Sequence, residues 1–151
     1  KRTVRTKDIK LIIDKDLDRN KDIKNHLFFC IFRFGNSFIN GNTIFDRICS
    51  IPFRIIMKLT YNKYNHIPLE TNIGGVRIPH LLGIVLSGKA SIGEQCTIMH
   101  QVTIGVDELK NNKAPVIGNN VFIGAGAIVT KSVPDGKTVV GINRIIEQSN
   151  G

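Results

Sequence analysis

The chain has three cysteines and no CxxC pair, no long apolar run, and almost no glycine before residue 67. Cys30, Cys49 and Cys96 are scattered and odd in number, which argues against both a disulfide framework and a structural zinc site. All three are expected to be buried thiols, and no ligand cluster suggests a metal. The longest apolar stretches, such as "LFFCIF", fall far short of a bilayer span, and the opening "KRTVRTKDIK" lacks the apolar centre of a secretory signal. A cytoplasmic address is therefore expected. Residues 1–66 are also poor in acid, holding 14 Lys and Arg against 6 Asp and Glu, whereas residues 67–151 hold 7 against 6.

What is present divides at the same place. The 151 residues, 42% of them apolar, suffice for one real core. Only Gly35 and Gly41 precede residue 67; the other twelve of the 14 glycines follow it. The chain is thus expected to comprise a basic segment, 1–66, and a glycine-rich segment, 67–151. The basic segment carries no nucleic-acid motif, so no nucleic-acid partner is expected and a solvated helical surface is the preferred reading.

The glycine-rich segment repeats. From Ile92 it reads "IGEQCT", "IMHQVT" and "IGVDEL", then, after an interruption, "IGNNVF", "IGAGAI" and "VTKSVP". Each unit opens on Ile or Val, usually followed by Gly, with Cys96, Val102, Val121, Ala127 or Val133 four places after the first residue. A short strand alternates its side chains, so a six-residue unit can point two of them inward and spend its glycine where φ > 0 or close approach is needed. Three units close a coil of about 18 residues, and stacked coils bury a column of aliphatic side chains. The pattern predicts a parallel hexapeptide β-helix from about residue 67 to Pro134, about four coils high. An antiparallel sandwich would instead need turn signals every 8 to 12 residues. Ile104 and Ile117 are 13 residues apart, so "VDELKNNKAP" is expected to leave the coil as a loop.

The front is expected to be helical. "KDIKLIIDKDLDRNKDIKNH" carries apolar residues at 9, 12, 13 and 17, near helical spacing. "LFFCIFRFGNSFING" and "TIFDRICSIPFRIIMKLTYNKYNH" follow, separated by Asn40, Gly41 and Asn42 and bent at Pro52. These helices are expected to cap the open end of the coil stack, which would otherwise expose strand edges and core. Contact of segment 43–64 with an anionic membrane is the lesser alternative.

"IPHLLGIVLSGKASIGEQCTIMHQVTIG" and "APVIGNNVFIGAGAIVTKSVPDGKTVVG" resemble the left-handed β-helix acyltransferases, and within them the serine acetyltransferase branch. The resemblance implies a mainly β fold, a left-handed parallel β-helix with an N-terminal helical cap. It further implies a homotrimer, or a dimer of trimers, that binds acetyl-CoA between neighbouring coil stacks and transfers the acetyl group to a hydroxyl. His80 matches the general base; a neutral imidazole suits that task near neutral pH, and Leu81 and Leu82 are expected to exclude water from it. His100 is the second candidate in the catalytic site, to contact the acceptor or orient His80. Gly124, Ala125 and Gly126 match a "GAG" along which the pantetheine arm runs, Gly105 matches a similar position ahead of the loop, and Lys131 is the cation for a CoA phosphate.

The chain departs from that branch in informative places. "DH" is replaced by Pro79 and His80, and the loop's "RHP" by Lys113, Ala114 and Pro115. Lys113 is the remaining cation for an acceptor carboxylate but lacks the bidentate fork of Arg. Asp16 loosely matches an acidic acceptor-binding residue. These departures leave two further readings open: a sugar or surface-polysaccharide hydroxyl as acceptor, and a non-catalytic scaffold trimer.

Overall fold

The computed structural model describes residues 6–41, 43–106 and 113–141. Three helices come first: α1 (Thr6–Arg19), α2 (Ile23–Ile39) and α3 (Ile44–Thr60). Among the described residues nine two-residue strands follow: β1 (Asn72–Ile73), β2 (Val85–Leu86), β3 (Ser91–Ile92), β4 (Thr97–Ile98), β5 (Thr103–Ile104), β6 (Val116–Ile117), β7 (Phe122–Ile123), β8 (Ile128–Val129) and β9 (Thr138–Val139). Among the described residues, no helix is long and apolar enough to cross a membrane.

The strands form three parallel sheets, β2-β5-β8, β1-β3-β6 and β4-β7-β9. Single parallel bridges extend each: His66 to Val85, Ile117 to Val133, and Arg77 to Thr97. The chain therefore visits the sheets in a fixed rotation, starting its turns at His66, Val85, Thr103 and Ile128. The ladder runs on to Val139, past the Pro134 limit expected from the repeat. Register survives the interruption, because Ser91 pairs with Val116 and Ile92 with Ile117. Most of the expected loop, residues 107–112, lies outside the described residues.

Burial follows the six-residue beat. Ile92, Ile98, Ile104, Ile117 and Ile123 are at most 2% exposed, and Cys96, Val102, Val121 and Ala127 are buried with them. Val133, in the last turn, is only half-buried. Left-handed backbone falls at the fourth place of the unit, at Gln95, Gln101, Asn120 and Gly126, and not at the glycine in the second. That second glycine serves close approach: a Cβ on Gly93 would stand 2.6 Å from the Gly118 carbonyl oxygen one turn away.

The helical segment departs from expectation in one boundary. The first predicted helix is broken at Asn20–Asp22, where Asp22 caps α2 by accepting from the Lys24 N–H. α3 begins with a capping box, in which Thr43 Oγ1 accepts from Asp46 N and the Asp46 carboxylate accepts from Thr43 N. It runs on through Pro52. Phe28, Phe29, Phe32 and Met57 join Ile67, Leu69 and the coil residues in one core.

Polar side chains of α1, α2 and the break between them meet the first turn of coil. The Val76 N–H donates to Asp16, and the Ile78 N–H to Asn20. Asn20 donates to the Val76 carbonyl, Asn25 to that of Ile78, and Asn36 to that of Leu69. Arg33 donates to the carbonyls of Ile73 and Gly74. A first turn has no preceding turn to pair with, and an unpaired buried backbone group is costly; here helix side chains supply the missing partners. Among the described residues, no buried side-chain N or O atom lacks a hydrogen bond.

Candidate active site

His80 lies in the connection between Arg77, in the third sheet, and β2, in the first. His100 lies in the equivalent connection one turn later, between β4 and β5, and Gly124–Gly126 in the next, between β7 and β8. Rotation of the chain through three sheets thus stacks these residues on one edge of the coil. The His80 and His100 rings are 5.8 Å apart between centroids, edge to face. The Gly126 N–H donates to the His100 carbonyl at 3.1 Å, and the Gln101 N–H to that of Leu82 at 2.9 Å.

The His80 connection is held at both ends. Before it, Ile78 is bonded through its N–H to Asn20 and through its carbonyl to Asn25. Within it, the Leu82 N–H closes a turn onto the His80 carbonyl, and Gly83, at φ 67°, donates to the Tyr64 carbonyl. After it, Asn65 accepts from the Ile84 N–H and donates to the Leu81 carbonyl. The ring itself is exposed. Leu82 is 52% exposed and Leu81 half-buried, so within one chain they do not enclose the imidazole, contrary to the expectation from the apolar run. A connection leaving the coil turns its side chains outward, and burial would require a neighbour.

A cleft of about 460 Å³ opens beside His80 between the helices and the coil. Pro79, Leu81 and Leu82 line one wall, and Asp22, Lys24, Tyr61 and Tyr64 stand among those opposite. These residues at the ends of α2 and α3 escaped the sequence reading, because only the fold brings them to a histidine 16 to 58 positions away. A larger cleft, about 630 Å³, lies between α3 and the first turn, bridged at Arg54 and Glu70, and contains neither candidate histidine.

The other predicted site residues are distributed elsewhere. Gly105, Lys113 and Lys131 lie in connections between the first and second sheets, so the β2-β5-β8 face separates them from the histidine edge. Lys113 and Lys131 are exposed. Asp16 is fully buried, bound by Arg33 at 2.7 and 3.2 Å and by the Val76 N–H. The structure does not present it to His80 as an acceptor-binding carboxylate; its bonds join α1, α2 and the coil. Burial pushes its carboxyl above the ordinary range, against the opposing pull of Arg33. The polar Arg33 within "LFFCIFRFGNSF" was the available signal for this pair.

Neither Cys30 nor Cys96 is placed as an activated nucleophile. Cys96 is buried, as expected, but Cys30 and Cys49 are only half-buried. Desolvation raises the thiols of Cys96 and Cys30, disfavouring thiolate. Among the described residues, no group of three or more His, Cys, Asp or Glu side chains could hold a metal ion.

Two imidazoles in edge-to-face contact, an exposed Ala125–Gly126 corner and a cleft suit proton transfer at a surface edge. The chain resembles serine acetyltransferases. It is 36% identical to the Helicobacter pylori enzyme over 74 residues, 48% of this chain and 43% of the relative. In structure it matches serine acetyltransferase isoform 3 of Entamoeba histolytica, in complex with cysteine, with a TM-score of 0.63 and 21% identity, covering 95% of this chain and 61% of that one. It also matches Brucella abortus serine acetyltransferase in complex with coenzyme A, with a TM-score of 0.59 and 20% identity over 94% and 67% of the respective chains. No protein-family model matches the chain. The chain spans less than half the length of the Helicobacter pylori relative.

Proposed function

We propose that the chain is an acetyl-CoA-dependent O-acetyltransferase of the serine acetyltransferase type, cytoplasmic, with a left-handed β-helix domain and its C-terminal tail in the segment 67–151 and a helical cap in the segment 1–66. The single observation that carries this reading is the stacking of His80, His100 and Gly124–Gly126 on one coil edge of a chain similar to serine acetyltransferases.

The residues present fit the donor. Ala125 and Gly126 are exposed, and a Cβ added at Gly126 would meet nothing within 4 Å, so an extended chain has room to lie against this backbone. Gly124, Ala125 and Gly126 would hold the pantetheine arm, and Lys131 a phosphate. When bound, acetyl-CoA supplies a thioester carbonyl that a hydroxyl oxygen attacks as its proton is removed.

His80 would take that proton as the new C–O bond forms and return it to the sulfur that leaves as the thioester C–S bond breaks, and His100, within ring contact, orients it or meets the acceptor. The tethers at Ile78, Leu81 and Ile84 hold the imidazole in place, which is what an effective general base requires. The histidine edge and the Lys113 and Lys131 edge lie on opposite sides of one sheet. A homotrimer resolves that separation by setting one protomer's histidine edge against its neighbour's lysines, and exposed Ile128 and Val85 on the intervening face provide apolar contact.

Serine is the acceptor favoured by the similarity to serine acetyltransferases, and the absence of "DH" and "RHP" leaves a sugar hydroxyl open as the second reading. Acetyl transfer by the purified chain, measured with L-serine and with nucleotide sugars and oligosaccharides, separates the two. Turnover with either class supports the proposal and names the acceptor. Coenzyme A binding with no turnover on any of them would make the chain a scaffold and contradict it.

A further inference from the structure

α3 faces the wrong way for a core helix. Its buried side chains are Ser50 and Met57, with Phe53 and Tyr61 half-buried beside them. The opposite side carries Ile44, Ile48, Ile51, Ile55 and Leu59, at intervals of four, three, four and four that keep them on one stripe. Ile44 is 77% exposed, Leu59 75%, Ile48 58%, Ile55 51% and Ile51 49%. Phe45, at 70%, widens the stripe. Scattered exposed apolar residues need no explanation, but a continuous helical face of them marks an interaction surface.

Charge identifies the occupant. Arg47, Arg54 and Lys58 run along one margin of the stripe, and Lys63 follows the helix. The only acid in α3 is Asp46, whose carboxylate is engaged by Thr43. Glu70 of the coil pairs with Arg54 and leaves the exposed Arg47 and Lys58 as a positive margin with no ion-pair partner among the described residues. A second copy would bring another positive margin and the same excess of 14 basic over 6 acidic residues in the helical segment. A layer with an apolar interior and anionic headgroups matches both parts of the face at once. With 17 residues and a basic margin beside its exposed apolar stripe, α3 has the form of a helix that lies in a membrane interface and does not span it.

We infer that the outer face of α3 docks the protein on anionic lipid, with Ile44, Phe45, Ile48, Ile51, Ile55 and Leu59 entering the acyl boundary and Arg47 and Lys58 at the headgroups. The inference goes beyond the acetyl-transfer reading and is independent of it. None of these residues belongs to the His80 edge.

Flotation of the full chain with phosphatidylcholine vesicles, with and without phosphatidylserine, tests it. The wild type is expected to float with the anionic vesicles and to be released as salt is raised. Ile48→Ser with Ile55→Ser is expected to lower the partition coefficient about tenfold or more. Arg47→Gln with Lys58→Gln is expected to lower it about fivefold per charge on anionic vesicles only, a readout that stands even if the isoleucine variant folds poorly. Failure of the wild type to bind anionic vesicles overturns the inference. So does unchanged flotation of a folded isoleucine variant, or a fall in its assembly mass by analytical ultracentrifugation, which would give the face to a second copy.

Discussion

The same side chain goes to opposite destinations in the two segments. In the coil, Ile92, Ile98, Ile104, Ile117 and Ile123 are at most 2% exposed; in α3, Ile44, Ile48, Ile51 and Ile55 are between 49% and 77% exposed. A coil that closes on itself has an inside fixed by its own period, so a six-residue beat determines both the element and its buried face. A helix has an inside only relative to what packs on it. Its 3.6-residue period shows that one face is apolar, not what covers that face.

The junction between the segments should be the most sensitive point. Arg33→Met leaves the Asp16 carboxylate buried with only the Val76 N–H and is expected to cost about 3–5 kcal/mol in urea unfolding. Asp16→Leu with Arg33→Met removes both charges and is expected to cost less than the single substitution. In the wild type the native state holds the Asp16 proton to higher pH than the unfolded chain does. This group's contribution to stability therefore declines as pH rises from its ordinary value of 3.8 towards its raised native value. A cost for Arg33→Met below about 1 kcal/mol would break the view that helix side chains secure the first turn of coil.

A matched pair sharpens the contrast at smaller scale. Ile98→Ala removes a fully buried side chain and is expected to cost about 2–5 kcal/mol. Ile48→Ala, on the exposed face, is expected to change stability by less than about 0.5 kcal/mol in the absence of lipid. Equal costs would mean that the α3 face is already covered in solution.

The same contrast explains how much could be read in advance. The parallel coil, its six-residue beat and its buried positions were legible, because each unit states its own inward residues. His80 and His100 were legible as candidates, and their adjacency follows from being one turn apart. Three features were not legible. The break at Asn20–Asp22 has no glycine or proline to mark it, and the work falls to an Asp22 cap. The Tyr61 and Tyr64 wall of the His80 cleft depends on how α3 meets the coil, a contact remote in sequence. Asp16 reads in the sequence as a loose match to an acceptor-binding acid, and only its partner Arg33 reveals that it is interior.

The central claim is that the exposed imidazole of His80 is the general base for acetyl transfer. Its most direct test is the acetyl-transfer rate of purified His80→Ala with the best acceptor, alongside its unfolding midpoint. The account predicts a fall in kcat of about 10²–10⁴-fold, with the midpoint nearly unchanged because the ring is exposed. A folded variant that keeps near wild-type turnover would contradict it.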